Sequence, residues 1–258
     1  MKMELIWMVP LFLIGFAVVH LTKLMRLYLI LLEQKLNFKH FVLTYLKTTF
    51  VNLLIPFKLG ELFRVYCFAK ETKEFQVGLF SVLVDRFFDT AALLIILIPF
   101  ELFLSGNVTF VTAALTVFSA LAIFMFAMFP GIYTYLNRYL IQQKTSHRSM
   151  LVLRGLEITK VWYDYVRNLI IGRYALVILL SCVAWLAEIG VLFCLSGICG
   201  TSFGIGAFSD YIAAIFMSGS SRLLKIYSIA GISIIGMAMI VVWIWCHSSK
   251  SLQGGRKQ

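Results

Sequence analysis

Asn52, Pro56, Lys58, Gly60, Glu61 and Arg64 crowd one short stretch of an otherwise apolar chain. Proline withholds a backbone donor and disfavours helix at the residue before it. Ionisable groups are costly in lipid unless they face a polar interior. Breakers and charges together predict a broken helix near Pro56–Gly60, the kind of place where membrane transport proteins build binding sites. If helix resumes near Leu59, its N-terminus offers unpaired N–H groups and a partial positive charge. Such a terminus attracts an anion, for instance a lipid phosphate. Arg64, one turn on, could add a fork of donors. Glu61 could hold Arg64 or bind a cation or amine head group. The plainer reading is a local Glu61–Arg64 pair that closes a kink.

A second cluster follows. Asp85, Arg86 and Asp89 sit inside an apolar run, with the two aspartates one helical turn apart. Three ionisable groups in one span demand polar partners. The economical pairing sets Arg64 against Asp85 or Asp89, and Glu61 against Arg86. It reads either as an interhelix clamp or as the wall of a polar cavity. Glu188, one turn from Trp185 in a distant apolar run, is a further candidate wall residue or a hydrogen-bonded structural carboxylate. Asp210 reads as a helix cap.

The elements that must position these groups are membrane helices. Of 258 residues, 61% are hydrophobic and 14% charged, against about 25% charged in soluble domains. The fold class is all-α, a polytopic integral membrane helical bundle in one domain. Spans are predicted over 4–22, 76–100, 108–129, 174–198 and 225–246. Segments 41–66 and 203–221 are too short or too polar for plain spans, and read as re-entrant or short. Residues 23–32 read as helix running on at the interface, and 149–170 as a cytoplasmic amphipathic helix. Residues 101–107, with Glu101 and a weak glycosylation sequon at Asn107, read as an external loop. Basic residues crowd 23–47 and 138–173, which predicts a cytoplasmic side there and an external N-terminus. For 207–221 and the C-terminal tail, charge counting leaves both orientations open.

The net charge of +11 follows from that topology, with attraction for anionic lipid as a further use; nucleic acid is not an expected partner. The five cysteines show no paired spacing and read as small buried hydrophobes. No phosphate-binding loop, zinc-hydrolase or serine-hydrolase motif occurs, and the four histidines are scattered. No cofactor, metal site or catalytic residue is predicted, and an enzyme is not the favoured reading.

The same residues resemble the membrane region of the lysylphosphatidylglycerol synthase/flippase-like family. That family shows a pattern close to N-x-x-x-P-x-R-x-G-E-x-x-R, followed by E/D-R-x-x-D. Here stand Asn52, Pro56, Lys58 in place of the usual Arg, Gly60, Glu61 and Arg64, then Asp85, Arg86 and Asp89. Lys23, Arg26 and Leu31–Leu32 are similar to the family's basic helix end, and Trp185 with Glu188 to a late W-x-x-E. The resemblance spans roughly residues 10–198. The chain departs from the family in showing one span fewer at the N-terminus and no P-G-G-x-G-x-x-E motif between Gly200 and Ser221. The resemblance implies lipid handling, either flipping of aminoacylated phospholipids or work beside glycosyltransferases on lipid-linked sugars. Lysine transfer is not implied, since these residues hold no aminoacyl-transferase domain.

The reading is therefore a cell-membrane protein that binds and translocates a phospholipid or lipid-linked substrate with an anionic head group. The alternative is a non-catalytic membrane subunit that scaffolds a glycosyltransferase or another cell-envelope enzyme. A membrane-embedded transferase ranks third.

Overall fold

The computed structural model describes residues 2–55, 59–142, 147–216 and 221–254. Pro56 and Lys58 lie outside the described residues. Every regular element among those described is helical: α1 (Lys2–Ile30), a 3₁₀ turn (Leu32–Gln34), α2 (Phe38–Leu54), α3 (Leu59–Thr72), α4 (Phe75–Ser105), α5 (Phe110–Gln142), α6 (His147–Ile170), α7 (Tyr174–Ile198), α8 (Ile205–Phe216) and α9 (Arg222–Gly254). The chain is an all-α polytopic bundle. Trp7–Ile30, Phe110–Gln142, Tyr174–Ile198 and Arg222–Trp245 are long and apolar enough to cross a membrane. The 31 residues of α4 cover about 46 Å, also enough to cross, but this helix carries the Asp85–Asp89 charges.

The central pair is α1 against α7, antiparallel. Close approach is possible because small residues face large ones: a Cβ on Gly15 would lie 2.8 Å from Val191, and one on Gly197 2.7 Å from the Met8 sulfur. Helix α1 does not leave the bundle after residue 22. It continues unbroken to Ile30, with Leu24, Leu27 and Ile30 buried. Apolar packing on α4 and α7 holds residues that sequence alone assigns to the interface.

Helices α2 and α3 have 17 and 14 residues, about 25 and 21 Å, each short of a full crossing. They form an antiparallel hairpin. Asn52 Nδ2 donates to Glu61 Oε1 at 3.2 Å beside the break, and Thr44 Oγ1 donates to Glu71 Oε1 at 2.9 Å near the other end. The start of α2 and the end of α3 therefore lie at the same end of the hairpin. Gly60 makes the tight turn-back possible, since a Cβ there would lie 2.4 Å from Asn52 Cα.

Helix α9 lies antiparallel to α2. Gly231 faces Leu53, Gly236 faces Phe50, and Lys39 Nζ sits 4.5 Å from the Trp245 ring. The end of α9 thus lies at the same end of the bundle as the start of α2. This places the C-terminal side of α9 on the basic end, an orientation that charge counting left open.

At the opposite end, α4 runs on to Ser105 and Gly106 turns the chain at φ 68°. Glu101 is buried rather than part of a loop. Its carboxylate accepts from Thr109 N (2.9 Å), Thr109 Oγ1 (2.9 Å) and Thr112 Oγ1 (3.0 Å). A carboxylate at the first turn of α5 satisfies donors the helix cannot. The sequon hydroxyl of Thr109 is committed to this staple. Helix α5 also passes through Pro130–Gly131, where helix is expected to stop, and runs to Gln142. One proline costs a helix a single hydrogen bond plus local strain, and Thr134 Oγ1 donates to the Pro130 carbonyl at 2.8 Å. Helix α6 then folds back on α5.

Gly60→Ala should destabilise the detergent-solubilised protein by about 1–3 kcal/mol through overpacking. Gly155→Ala, whose Cβ would meet open space, should leave it unchanged or slightly more stable. Paired thermal melts check both.

Candidate functional site

The bundle brings Glu61, Arg64, Asp85, Arg86 and Asp89 into one network. Asp85, with 0% exposure, is reached by three guanidiniums. Arg26 Nε lies at 2.7 Å, Arg86 Nη2 at 3.1 Å and Arg64 Nη1 at 3.5 Å. Asp89 binds Arg26 Nη1 at 2.6 Å and Arg86 Nη1 at 3.5 Å. Glu61 lies 3.6 Å from Arg86 Nε and 3.8 Å from Arg64 Nη1. Helix periodicity explains the convergence. Asp85 and Asp89 share one face of α4, Glu61 and Arg64 are one turn apart on α3, and Gly78 lets α3 and α4 approach closely. A Cβ on Gly78 would lie 2.6 Å from Ala69 N.

Arg26 is the hub, and sequence reasoning missed it as a site residue. It is 1% exposed, and besides both aspartates its Nη1 donates to Ser181 Oγ at 2.9 Å. One guanidinium therefore ties α1, α4 and α7 together. Trp185 Nε1 donates to the Asp89 carbonyl at 2.9 Å and closes the same joint. A signal was present, because Lys23 and Arg26 recur at helical spacing with Val19, Leu27 and Ile30. Basic residues at a helix end are, however, also what topology alone predicts.

Glu188 belongs to a neighbouring group. Lys23 Nζ binds its Oε2 at 2.6 Å, and Tyr211 Oη donates to its Oε1 at 2.8 Å. Lys23 Nζ also sits 5.8 Å from the Trp185 ring centre. Tyr211 carries no sequence signal, since nothing in the apolar run that forms α8 sets it apart. Asp210, its neighbour, is exposed and opens on a different cavity of about 510 Å3.

Between these two groups lies a cavity of about 830 Å3. Its polar wall holds Lys23, Asn52, Glu61, Arg64, Arg86, Asp89 and Glu188, with His20, Tyr45, Thr48 and Thr49. Its apolar wall is made by Leu53, Leu54, Ile55, Ile215, Phe216 and Ile229. Of the predicted site residues, Asn52, Glu61, Arg64, Arg86, Asp89 and Glu188 line it. Gly60 sits beside it as a backbone contact, and Asp85 lies behind the wall.

The electrostatics are lopsided. Arg26, Arg64 and Arg86 match Glu61, Asp85 and Asp89, and Lys23 matches Glu188. Lys225 also lines the cavity and has no carboxylate partner among the described residues. The wall thus keeps one cation in excess. It also keeps unused capacity: His20 Nε2, Arg64 Nε, Arg86 Nε and Glu61 Oε2 are buried and make no hydrogen bond. Buried polar atoms are normally satisfied, and these four leave hydrogen-bonding capacity open on the wall. Among the described residues no group of three His, Cys, Asp or Glu is placed to hold a metal ion.

Fold and site together define a polytopic α-helical membrane protein with a charged internal cavity beside the α2–α3 hairpin. Residues 1–247 match the model of the family described as lysylphosphatidylglycerol synthase TM region, and the chain belongs to that family. Neither a curated protein nor a solved structure matches the chain.

Removing one partner from a buried ion network leaves the others uncompensated, at about 3–5 kcal/mol. Arg26→Gln should therefore cost that much stability, and Asp89→Asn in the same chain should recover part of it. A double-mutant cycle by denaturation in detergent should give a coupling of about 1–3 kcal/mol.

Proposed function

We propose that this membrane protein binds a phospholipid or lipid-linked substrate with an anionic head group in the α2–α3–α4–α7 cavity and translocates it across the bilayer. One observation carries the reading: a single cavity joins a cation-rich polar wall with unused donors to an apolar lip. Leu54, Ile55 and Ile229 on that lip are partly or largely exposed. An amphiphile suits such a site. Its phosphate meets Arg64, Arg86 and Lys225, and its acyl chains run along the lip. The partial positive charge at the start of α3, beside Gly60, adds to the attraction. Fork-shaped guanidinium donors bind phosphate strongly.

Specificity would come from the opposite wall. Glu61 Oε2 and the Glu188–Tyr211 group offer acceptors to a donor-bearing part of the head group. The basic end of the bundle would face the cytoplasm, with the N-terminus outside. The re-entrant hairpin would then open on the cytoplasmic leaflet of the cell membrane.

Reconstitution with head-group-labelled lipid tests this. Wild-type protein should speed exchange of a phosphatidylglycerol probe between leaflets, read as the fraction reducible by external dithionite. Arg64→Ala should abolish the effect. Lys225→Gln lies outside the ion network and should weaken apparent affinity about tenfold, the scale of one lost charge-assisted contact, without lowering the melting temperature. Exchange equal to that of protein-free vesicles would overturn the proposal. If an envelope glycosyltransferase then co-purified, the scaffold reading would take its place.

A further inference from the structure

Lys23 differs from the other paired cations around the cavity. Arg26, Arg64 and Arg86 are guanidiniums, and each meets at least two carboxylates. Lys23 is a primary ammonium on a flexible stem. Among the described residues its ion pair is with Glu188 alone, at 2.6 Å. Glu188 differs from the other wall carboxylates in the same way. Glu61 faces Arg64 and Arg86, and Asp89 faces Arg26 and Arg86, so a further cation is repelled at both. Glu188 faces one ammonium and one neutral donor, the Tyr211 hydroxyl at 2.8 Å.

The rings beside Glu188 suit an ammonium. Lys23 Nζ lies 5.8 Å from the Trp185 ring centre, within the range of cation–π attraction. Tyr45, Tyr211 and Tyr227 are buried and line the same cavity. The Tyr211 and Tyr227 rings meet edge to face at 6.1 Å. A carboxylate among aromatic rings is the chemistry that recognises an amine. Here the chain itself supplies the amine. Both Glu188 oxygens are engaged and the side chain keeps only 4% exposure. An incoming amine reaches this carboxylate only by displacing Lys23, and a tethered group competes at high effective concentration. A neutral hydroxyl can still donate to the Tyr211 oxygen or to Glu61 Oε2.

Resting on the anionic-lipid reading above, we propose that the Lys23 ammonium occupies the amine subsite of the cavity and thereby sets head-group selectivity. Anionic head groups without an amine are accepted, and head groups that carry a primary amine are rejected. Lys23 is then a specificity residue as well as a strut between α1 and α7.

Native mass spectrometry of the full chain in detergent tests this, by titration with phosphatidylglycerol and phosphatidylethanolamine of matched acyl chains. Wild type should bind phosphatidylglycerol at least about tenfold more tightly, the scale of one charge-assisted contact. Lys23→Met keeps the apolar stem but ends one atom short, which vacates the ammonium position. It should narrow the ratio at least about tenfold, chiefly through tighter binding of phosphatidylethanolamine. Lys23→Arg keeps the cation and should keep the wild-type ratio. Lys225→Gln removes a different cation from the same cavity, and should weaken phosphatidylglycerol binding without tightening phosphatidylethanolamine. A purely structural Lys23 predicts no change of preference. Phosphatidylglycerol binding by wild type, with unchanged phosphatidylethanolamine affinity in Lys23→Met or an equal gain in Lys225→Gln, would overturn this inference alone. Wild type that binds neither lipid would overturn the cavity reading and this inference with it. If Lys23→Met loses its fold, the wild-type ratio decides, and equal affinity for the two lipids overturns the proposal.

Discussion

Arg26 sits among Asp85, Asp89 and Ser181 with almost no exposure. Everything near the cavity follows from that enclosure. A guanidinium in the membrane interior is tolerable only when its charge is matched and its donors are used. Matching it requires α4 to present two carboxylates on one face. Using its remaining donor capacity requires α7 to bring Ser181 alongside. Three helices are thereby fixed in rotation and depth. Replacing the network with apolar groups of similar volume would not sacrifice much stability in principle. Its presence therefore argues for a role in shaping the polar wall as well as in holding helices together.

The second constraint is the backbone at the α2–α3 turn. Close contact of Gly60 with Asn52 brings the first turn of α3 back beside the last turn of α2. Glu61 and Arg64 then face α4 rather than lipid. With 17 and 14 residues the two helices are short for a full crossing, and the cavity lies beside the end of α2 and the start of α3. Helices α8 and α9 complete it from the far side through Phe216, Lys225 and Ile229.

How much of this was legible in the sequence differs residue by residue. Asp85, Arg86 and Asp89 were conspicuous because charges inside an apolar run need partners, and Glu61 and Arg64 were near enough to supply them. Arg26 and Lys23 were equally basic, but stood where topology alone explains basic residues, so their burial did not show. In the sequence Glu101 suits an external loop, because residues 101–107 hold one acid and no Lys or Arg. Its three hydrogen bonds to Thr109 and Thr112 exist only once α5 folds back on α4. Tyr211 reaches Glu188 through tertiary packing of a helix with no distinctive pattern. The direction of α9 was undecidable from charge, and became clear from the pairing of Lys39 with Trp245. Local chemistry was readable, whereas contacts made by chain reversal were not.

The central claim is that the charged cavity receives a lipid head group. Photocrosslinking with an anionic phospholipid that carries a diazirine on its head group, followed by peptide mapping, tests it most directly. Adducts should concentrate on the polar wall and its rim, in 45–55, 211–216 and 224–229, and excess unlabelled anionic lipid should suppress them. Adducts confined to the outward faces of α1, α5 and α7, with none on those three segments, would contradict it.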